Sequence, residues 1–251
     1  MTEVLCSIDD NGVALITLNA PDRRNSMNLD MVEEIVAVVD KCVADDGVGA
    51  LVVTGEGKGF CAGATLGHLA GSTGDSESRA VGSVYDGFLV FANCPKPTIA
   101  AVNGAAVGAG MNLALACDVR VASTSAKFIT RFLDLGLHPG GGHTWMLQRI
   151  VGPQTARAMV LFGQEYSSTD AVQFGLAYES VEPDALIPRA LEMGARAASA
   201  PRELSKRTKA TLNRMWDVDT SPEAVAIELE VQAWSLQQPE FKERIANFQK
   251  K

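Results

Sequence analysis

The chain has 251 residues and a formal net charge of −8 at pH 7, and 47% of its residues are hydrophobic. This length suits one large domain, or a core with a small appendage, that buries roughly three quarters of its unfolded surface. The acidic balance argues against nucleic-acid binding, which needs a basic face to displace counterions. The five cysteines are odd in number and lack a C-x-x-C pair, and no charged-then-apolar leader opens the chain, so we expect a soluble cytoplasmic protein.

The first 93 residues alternate between strand and helix patterns. Residues 4–19 predict a hairpin, and Asn28 is a plausible N-cap for the amphipathic helix that follows it. The predicted elements after the hairpin are a helix over 29–43, a strand over 50–54 buried on both faces, a Gly-rich loop over 55–64, a helix start over 65–69, a mobile polar loop over 71–83 and a helix over 84–93.

The stretch Thr98–Asp118 is the one around which the rest is organised. Apolar residues 99–102 predict a strand, Asn103-Gly104 predicts a turn, and the pattern from Met111 predicts a helix. The segment Gly108-Ala109-Gly110 then lies at a helix N-terminus, where unpaired amides and the positive end of the dipole favour a negative charge. We expect this end of the helix to stabilise an oxyanion.

This stretch has three other interpretations. Thr98 to Cys117 carries no charge and contains a small-xxx-small pattern, but its two asparagines and three glycines make a poor membrane span. A phosphate-binding loop is not supported, because position 113 is Leu113 and Lys58 is not followed by Ser or Thr. A buried strand, turn and helix without a ligand stays open from this stretch alone.

Short strands are predicted over 119–122 and 127–128, and a Gly/Pro loop over 135–142. Strand patterns then end near residue 182. The predicted helices are 143–150, 154–162, 168–174, 184–198, 203–215, 222–237 and 240–248. We therefore expect an α/β core over 1–182 and a helical region over 183–251.

Two segments of the chain repeat one pattern. Residues 51–66 and 99–113 both read as strand, Gly/Ala-rich loop and helix start, so two loops could each present one amide to a single oxygen atom.

Taken together, these loops resemble the crotonase (enoyl-CoA hydratase/isomerase) superfamily. The matching motifs, in order, are PDRRNSM at 21–27, LVVTG at 51–55, GFCAGA at 59–64, PTIAAVNG at 97–104, GAG at 108–110, CD at 117–118 and GLHPG at 136–140. The resemblance implies a ββα-spiral core with C-terminal trimerisation helices, assembled as a homotrimer or a dimer of trimers. It also implies a coenzyme A thioester as substrate or ligand, with no further cofactor.

The resemblance implies roles for individual residues. The thioester carbonyl would lie between the backbone N–H groups of Ala64 and Ala109, which would stabilise an enolate. Coenzyme A would contact the loop before the first helix, the end of the first Gly/Ala-rich loop and the tail of a neighbouring chain. The implied coenzyme A contacts are Arg23, Arg24, Ser26, Ala62, Ala64, Thr65, Leu66, Phe248 and Lys251.

The sequence departs from the family at the two glutamates that a hydratase uses to deliver water and a proton. On the motif alignment these positions fall at Asn112 and Phe132, and neither side chain exchanges a proton near neutral pH. Each acid–base role is worth about 10²–10⁴-fold in rate, so we expect weak ordinary hydratase activity. Asn112 either hydrogen-bonds a water or acyl oxygen, or satisfies a buried polar neighbour.

Replacement bases were sought nearby. Asp134 and His138 lie in the segment where other family members carry shifted bases, although a capping carboxylate and a loop histidine are the plainer interpretations. His143, at the next helix start, is a further candidate, for which a structural role is the plainer interpretation. His68 either lines the acyl pocket or, more plainly, lies at the surface. No pair of these histidines has metal-site spacing, so no metal is predicted.

Three functional hypotheses follow. The first is an enoyl-CoA hydratase/isomerase-like enzyme with a non-standard acid or base. The second is decarboxylation or hydrolysis of a CoA thioester at the same oxyanion hole. The third is a non-catalytic acyl-CoA-binding protein.

Overall fold

The computed structural model describes residues 2–65 and 75–248, with side chains described over 2–65 and 82–247. Its main sheet has six strands in the order β1-β2-β3-β5-β7-β10. The strands of this sheet are β1 Val4–Ile8, β2 Val13–Leu18, β3 Ala50–Gly55, β5 Thr98–Val102, β7 Val119–Ser123 and β10 Glu179–Val181.

The predicted hairpin forms the antiparallel edge of this sheet, and the strands from β2 onward run parallel. Every residue of β3 is buried, as expected for a parallel strand covered on both faces. The predicted α/β class is confirmed.

A second sheet of four short strands lies beside the first, in the order β4-β6-β8-β9. Its strands are β4 Gly59–Cys61, β6 Ala105–Val107, β8 Lys127–Ile129 and β9 Tyr166–Ser167. Strands β4, β6 and β8 run parallel, so the two Gly/Ala-rich loops become neighbours at one edge.

The described residues form nine α-helices. They are α1 Leu29–Ala44, α2 Asp75–Ala92, α3 Ala109–Ala116, α4 His143–Phe162, α5 Ser168–Gln173, α6 Pro183–Ala198, α7 Arg202–Arg214, α8 Ser221–Gln237 and α9 Pro239–Phe248. The Asn28 side chain accepts a hydrogen bond from the Met31 amide at 2.8 Å, which confirms the predicted N-cap. The predicted pair of helices over 143–162 is one element interrupted by non-helical Gly152.

The main sheet separates two hydrophobic clusters. Helices α1, α2 and α3 pack in the larger cluster with Phe60 and Phe88. Helix α6 covers the opposite face of the sheet, where Leu186 and Ala190 meet Val52 and Ala101. This packing holds the second sheet and its loops on the α3 side of the molecule.

One expectation is corrected. The polar segment predicted as a loop over 71–83 is helical from Asp75 onward, because α2 extends nine residues before the apolar pattern that marked its predicted start at Val84. Residues 71–74 and most of the helix start predicted over 65–69 lie outside the described residues.

Two further findings bear on the class of protein. All five cysteines are free thiols. Among the described helices, none combines the length and the apolar character that a membrane span requires.

Candidate active site

The loop after β4 touches the N-terminus of α3. A Cβ atom built on Gly110 would clash with the Cys61 carbonyl, so only glycine permits this close approach. A Cβ atom on Gly63 would lie 2.9 Å from the Val107 oxygen and 3.7 Å from the Ala109 nitrogen. The structure therefore brings together the two loops that carry Ala64 and Ala109.

The amide N–H groups of Ala64 and Ala109 have no partner among the residues that the structure describes. Met27 and Ala64 form a parallel β-bridge. The Met27 N–H donates to the Gly63 carbonyl and the Met27 carbonyl accepts from the Thr65 N–H, each at 2.8 Å. In a parallel pairing this leaves the Ala64 N–H on the opposite side. Within the described residues, neither the Ala64 nor the Ala109 amide donates a hydrogen bond.

Helix α3 begins at Ala109, and Gly108 is its N-cap with φ 53° and ψ −113°. That backbone conformation strongly favours glycine. The first turn of α3 leaves its amides unpaired and concentrates the positive end of the dipole at Ala109. At the other end, Arg120 donates to the carbonyls of Ala114 and Cys117, which balances the negative end of the helix.

Most of the predicted coenzyme A contacts lie side by side next to this pair of loops. The Ala62 amide donates to the Arg24 carbonyl at 2.9 Å, and the Ser26 and Thr65 hydroxyl oxygens are 3.4 Å apart. Arg24 is exposed and forms no ion pair with a described residue. This grouping places the Arg24 guanidinium, which has no ion-pair partner among the described residues, beside two hydroxyl groups.

Arg23 is used differently from Arg24. Its guanidinium contacts Glu3 at 2.5 Å and donates to the Ser26 carbonyl at 3.0 Å. Arg23 therefore fixes the shape of this loop and has less freedom to meet a phosphate group.

Asn25 was not among the predicted site residues. It is fully buried with φ 56°, accepts from Ala20 at 2.9 Å, and donates to the carbonyls of Glu56, Gly59 and Phe60. It ties the Arg24 loop to β4. A buried amide in a positive-φ turn has no periodic signal in a single sequence.

Four predicted residues cannot be placed in full. Leu66, His68 and Lys251 lie outside the described residues, and Phe248 is described only as the last residue of α9. Their predicted roles stay predictions.

Asn112 lies three residues after Ala109 on α3, and its side chain is fully engaged. Its amide nitrogen donates to the Gly140 carbonyl at 3.0 Å, and its oxygen lies 2.6 Å from Nδ1 of His143. Of the two interpretations of Asn112, this geometry matches the one in which it satisfies a buried polar neighbour.

Phe132 packs its ring against His143, with ring centroids 4.8 Å apart and planes at 64°. The tip of the same ring lies 3.9 Å from the position of a Cβ atom on Gly108. Phe132 thus fills the space between His143 and the N-terminus of α3.

His143 is fully buried, and its Nε2 atom has no hydrogen-bond partner in the part of the chain that the structure describes. Burial lowers the pKa of His143 to about 4, so its ring is neutral at pH 7. It is the first residue of α4, as the sequence indicates, but it points into the interior beside Asn112.

The two other predicted bases face outward. Asp134 lies 3.6 Å from the Arg131 guanidinium with its side chain 64% exposed, and Arg131 also binds Glu165 at 2.8 Å. His138 is exposed, and its Nδ1 atom lies 2.7 Å from the Pro139 carbonyl. The described contacts do not join either residue to Asn112 or Phe132.

Comparisons with known proteins identify the family of the chain. The sequence profile described as enoyl-CoA hydratase/isomerase matches residues 9–251. A probable enoyl-CoA hydratase of Mycobacterium tuberculosis is 49% identical over 248 residues, which is 97% of this chain and 96% of that protein. The 1,2-epoxyphenylacetyl-CoA isomerase of Escherichia coli is 36% identical over 80% of this chain and 78% of its own length.

Solved structures show the same fold. A probable enoyl-CoA hydratase/isomerase from Mycobacterium abscessus has a TM-score of 0.91 and 32% identity, covering all of this chain and 96% of its own. An enoyl-CoA hydratase from Bacillus anthracis has a TM-score of 0.94 and 27% identity, covering 99% and 96%. The fold is therefore crotonase-like, and the chain belongs to the enoyl-CoA hydratase/isomerase family of the crotonase superfamily.

Proposed function

We propose that this protein is an enzyme that binds an acyl-CoA thioester and stabilises its enolate between the amides of Ala64 and Ala109. The observation that carries the proposal is the contact between the two loops, where a Cβ atom on Gly63 would lie 3.7 Å from the Ala109 nitrogen. The names of its relatives, which include a probable enoyl-CoA hydratase and an acyl-CoA isomerase, support a CoA thioester as substrate.

The physical reason is electrostatic preorganisation. Removing a proton next to the thioester, or adding a group at the neighbouring carbon, moves negative charge onto the carbonyl oxygen. Fixed N–H donors at that oxygen need no reorganisation when the charge develops, and the loss of one costs about 3–4 kcal/mol. The dipole of α3 acts in the same direction at Ala109.

The coenzyme A moiety would lie along Arg24, Ser26, Ala62 and Thr65, which form one continuous surface beside Ala64. Arg24 provides the positive charge of this surface, and it forms no ion pair with a described residue. Its guanidinium group matches the geometry of a phosphate group. Arg23 would support the loop through Glu3. The family resemblance adds Leu66, and Phe248 and Lys251 from a neighbouring chain.

Self-association as a homotrimer or a dimer of trimers is part of this proposal. Large apolar side chains of the C-terminal helices are exposed in the single chain, and such surfaces mark association sites. They include Leu212, Trp216, Val225, Leu229 and Leu236.

The acid–base chemistry of the site is non-standard in this proposal. Asn112 is an amide whose two polar atoms are occupied, and Phe132 has no proton to exchange. We therefore expect proton transfer next to the thioester to be easier for this protein than the addition of water.

Proton exchange in heavy water tests the proposal. The protein is incubated with butyryl-CoA in D₂O, and the ester is analysed by mass spectrometry for deuterium at carbon 2. Crotonyl-CoA absorbance is followed in parallel. We expect deuterium to enter at a rate well above the uncatalysed rate, with slow hydration.

Calorimetry of butyryl-CoA binding separates the alternatives. If the protein binds butyryl-CoA but catalyses neither exchange nor hydration, the proposal that it is an enzyme acting through an enolate is wrong. That result would support an acyl-CoA-binding protein. If butyryl-CoA, octanoyl-CoA and crotonyl-CoA all fail to bind, the whole proposal is wrong.

A further inference from the structure

We infer that Nε2 of His143 is the proton-accepting atom of this site, and that Asn112 is the positioning residue that holds it. The inference rests on the proposed function. It names the base of the site, because neither Asn112 nor Phe132 can exchange a proton. Three observations carry it: the hydrogen bonds of Asn112, the unpartnered Nε2 atom, and the place of the ring beside the start of α3.

The hydrogen bonds of Asn112 fix the tautomer of His143. The Gly140 carbonyl can only accept, so the amide nitrogen of Asn112 must face it, 3.0 Å away. The amide oxygen then faces Nδ1 of His143 at 2.6 Å and can only accept, so Nδ1 carries the proton. A neutral His143 therefore has its basic lone pair on Nε2.

Among the described residues this lone pair has no partner, although His143 is fully buried. An unsatisfied buried acceptor costs about 1–3 kcal/mol, and native proteins keep very few of them. The cost is understandable if Nε2 takes part in chemistry. If His143 only held the start of α4 through its hydrogen bond with Asn112, nothing would require its Nε2 atom to lack a partner.

The position of His143 suits a base for the proposed site. Asn112 is three residues after Ala109, so both lie on the same side of α3. The Phe132 ring packs on the His143 ring, and its tip lies 3.9 Å from where a Cβ atom on Gly108 would be, so one aromatic ring lies between the imidazole and the start of α3. Asp134 and His138 instead face outward.

The surroundings of His143 keep it neutral and therefore able to accept a proton. The groups that face it are Asn112 from α3, Phe132 and the Gly140 main chain, and burial is the cause of its lowered pKa of about 4. The Tyr85 hydroxyl lies on the far side of Gly140. An enolate next to the ring would raise the pKa of His143 and favour the imidazolium form.

The step balances within the active site. The bond between carbon 2 and its hydrogen breaks, the proton moves to Nε2, and the electron pair forms the enolate whose charge rests on the thioester oxygen. In D₂O the N–H of the imidazolium exchanges its proton for a solvent deuteron, and transfer of that deuteron to carbon 2 gives exchange. Transfer to carbon 4 of an enoyl chain instead gives isomerisation.

The decisive variant is His143→Asn. An asparagine can keep a donor near the position of Nδ1, toward Asn112, but has no atom that accepts a proton. We expect the rate of deuterium entry into butyryl-CoA to fall at least about 10²-fold, while the Kd for butyryl-CoA changes less than about threefold. His138→Asn is made alongside as the competing assignment.

The variant Asn112→Asp provides a second readout through the pH profile. A carboxylate beside Nδ1 would raise the pKa of His143, so the pH dependence of exchange should move upward by about one to three pH units. A residue with a purely structural role would not move this profile. Circular dichroism verifies the fold of both variants.

These outcomes separate the inference from the proposed function. Exchange that persists in His143→Asn, or that is lost in His138→Asn instead, overturns the inference and leaves the acyl-CoA enzyme intact. If His143→Asn does not fold, an unchanged pH profile of Asn112→Asp overturns it. Failure of the wild-type protein to bind acyl-CoA overturns both.

Discussion

His143 shows how one buried side chain couples chemistry to stability. Its neutral form is favoured because burial removes the water that would solvate an imidazolium. A histidine in the unfolded chain titrates near its ordinary pKa of 6.5, whereas His143 in the folded chain titrates near 4. The unfolded state therefore binds more protons in the interval between these two values.

This difference predicts a pH dependence of stability. The contribution of neutral His143 is complete above pH 6.5 and is lost as the pH falls toward 4, with a total on the order of 3 kcal/mol. Urea unfolding at intervals between pH 4 and 7 measures it. In His143→Leu we expect the slope over this interval to be smaller by that contribution; an equal slope in both proteins would contradict the burial of a neutral ring.

Single residues also mark the limit of sequence reasoning. The N-cap role of Asn28 and the place of Gly108-Ala109-Gly110 at a helix start could be predicted, because their signals lie within a few residues of the chain. The pairing of Asn112 with His143 could not, because it joins residues 31 positions apart and depends on how α3 packs on α4. Asn25 was missed for the same reason.

Among the secondary-structure elements, the long periodic ones were predicted well. Of the short strands in the second sheet, β8 was predicted over 127–128, whereas β4, β6 and β9 were not. The two- and three-residue strands of the second sheet have no periodicity to read, and β4 and β6 exist because their neighbours complete their hydrogen bonds. The start of α2 at Asp75 lies in a polar segment whose composition indicates a loop. Tertiary packing decides both cases.

Helix α7 is joined to the main sheet by a polar contact that predicts a clear mutational effect. The ammonium group of Lys209 donates to the Lys96 carbonyl at 2.9 Å and contacts Asp118 at 2.7 Å, and Asp118 also accepts from the amide and hydroxyl of Thr98. Lys209 is buried, so removing its partner leaves a charge without compensation.

We expect Asp118→Ala to lower the free energy of unfolding by about 2 kcal/mol or more, a value reduced from that of a fully buried pair because Asp118 is partly exposed. The double variant Asp118→Ala, Lys209→Met should recover part of this loss, because no charge is left buried. Urea unfolding measures both. Glu203→Ala, which breaks an exposed pair with Arg207, is the matched control and should cost under about 1 kcal/mol.

For the molecule as a whole, the order of the Gly-rich motifs indicates the fold, since each marks a place where two backbones touch. Gly104 and Gly110 lie where a side chain would strike the carbonyls of Lys58 and Cys61. The motifs therefore encode the contact between the two loops. The division into a core over 1–182 and a helical region over 183–251 stays a prediction.

Ala109→Pro removes one proposed donor with little disturbance. Proline is favoured at the first position of a helix, and the preceding Gly108 tolerates it. We expect the rate of deuterium entry into butyryl-CoA to fall about 10²–10³-fold. Ser221→Pro, at the exposed first position of α8, is the matched control and should exchange like the wild-type protein.

The stretching frequency of the thioester carbonyl reports directly on the two donors. Isotope-edited infrared spectroscopy of butyryl-CoA labelled with ¹³C at carbon 1 would compare the free ester with its complexes. We expect a lower frequency when it is bound to the wild-type protein and to Ser221→Pro, and a return toward the free value in Ala109→Pro. An unshifted carbonyl in the wild-type complex, or a shift that persists in full in Ala109→Pro, would contradict the proposed oxyanion hole.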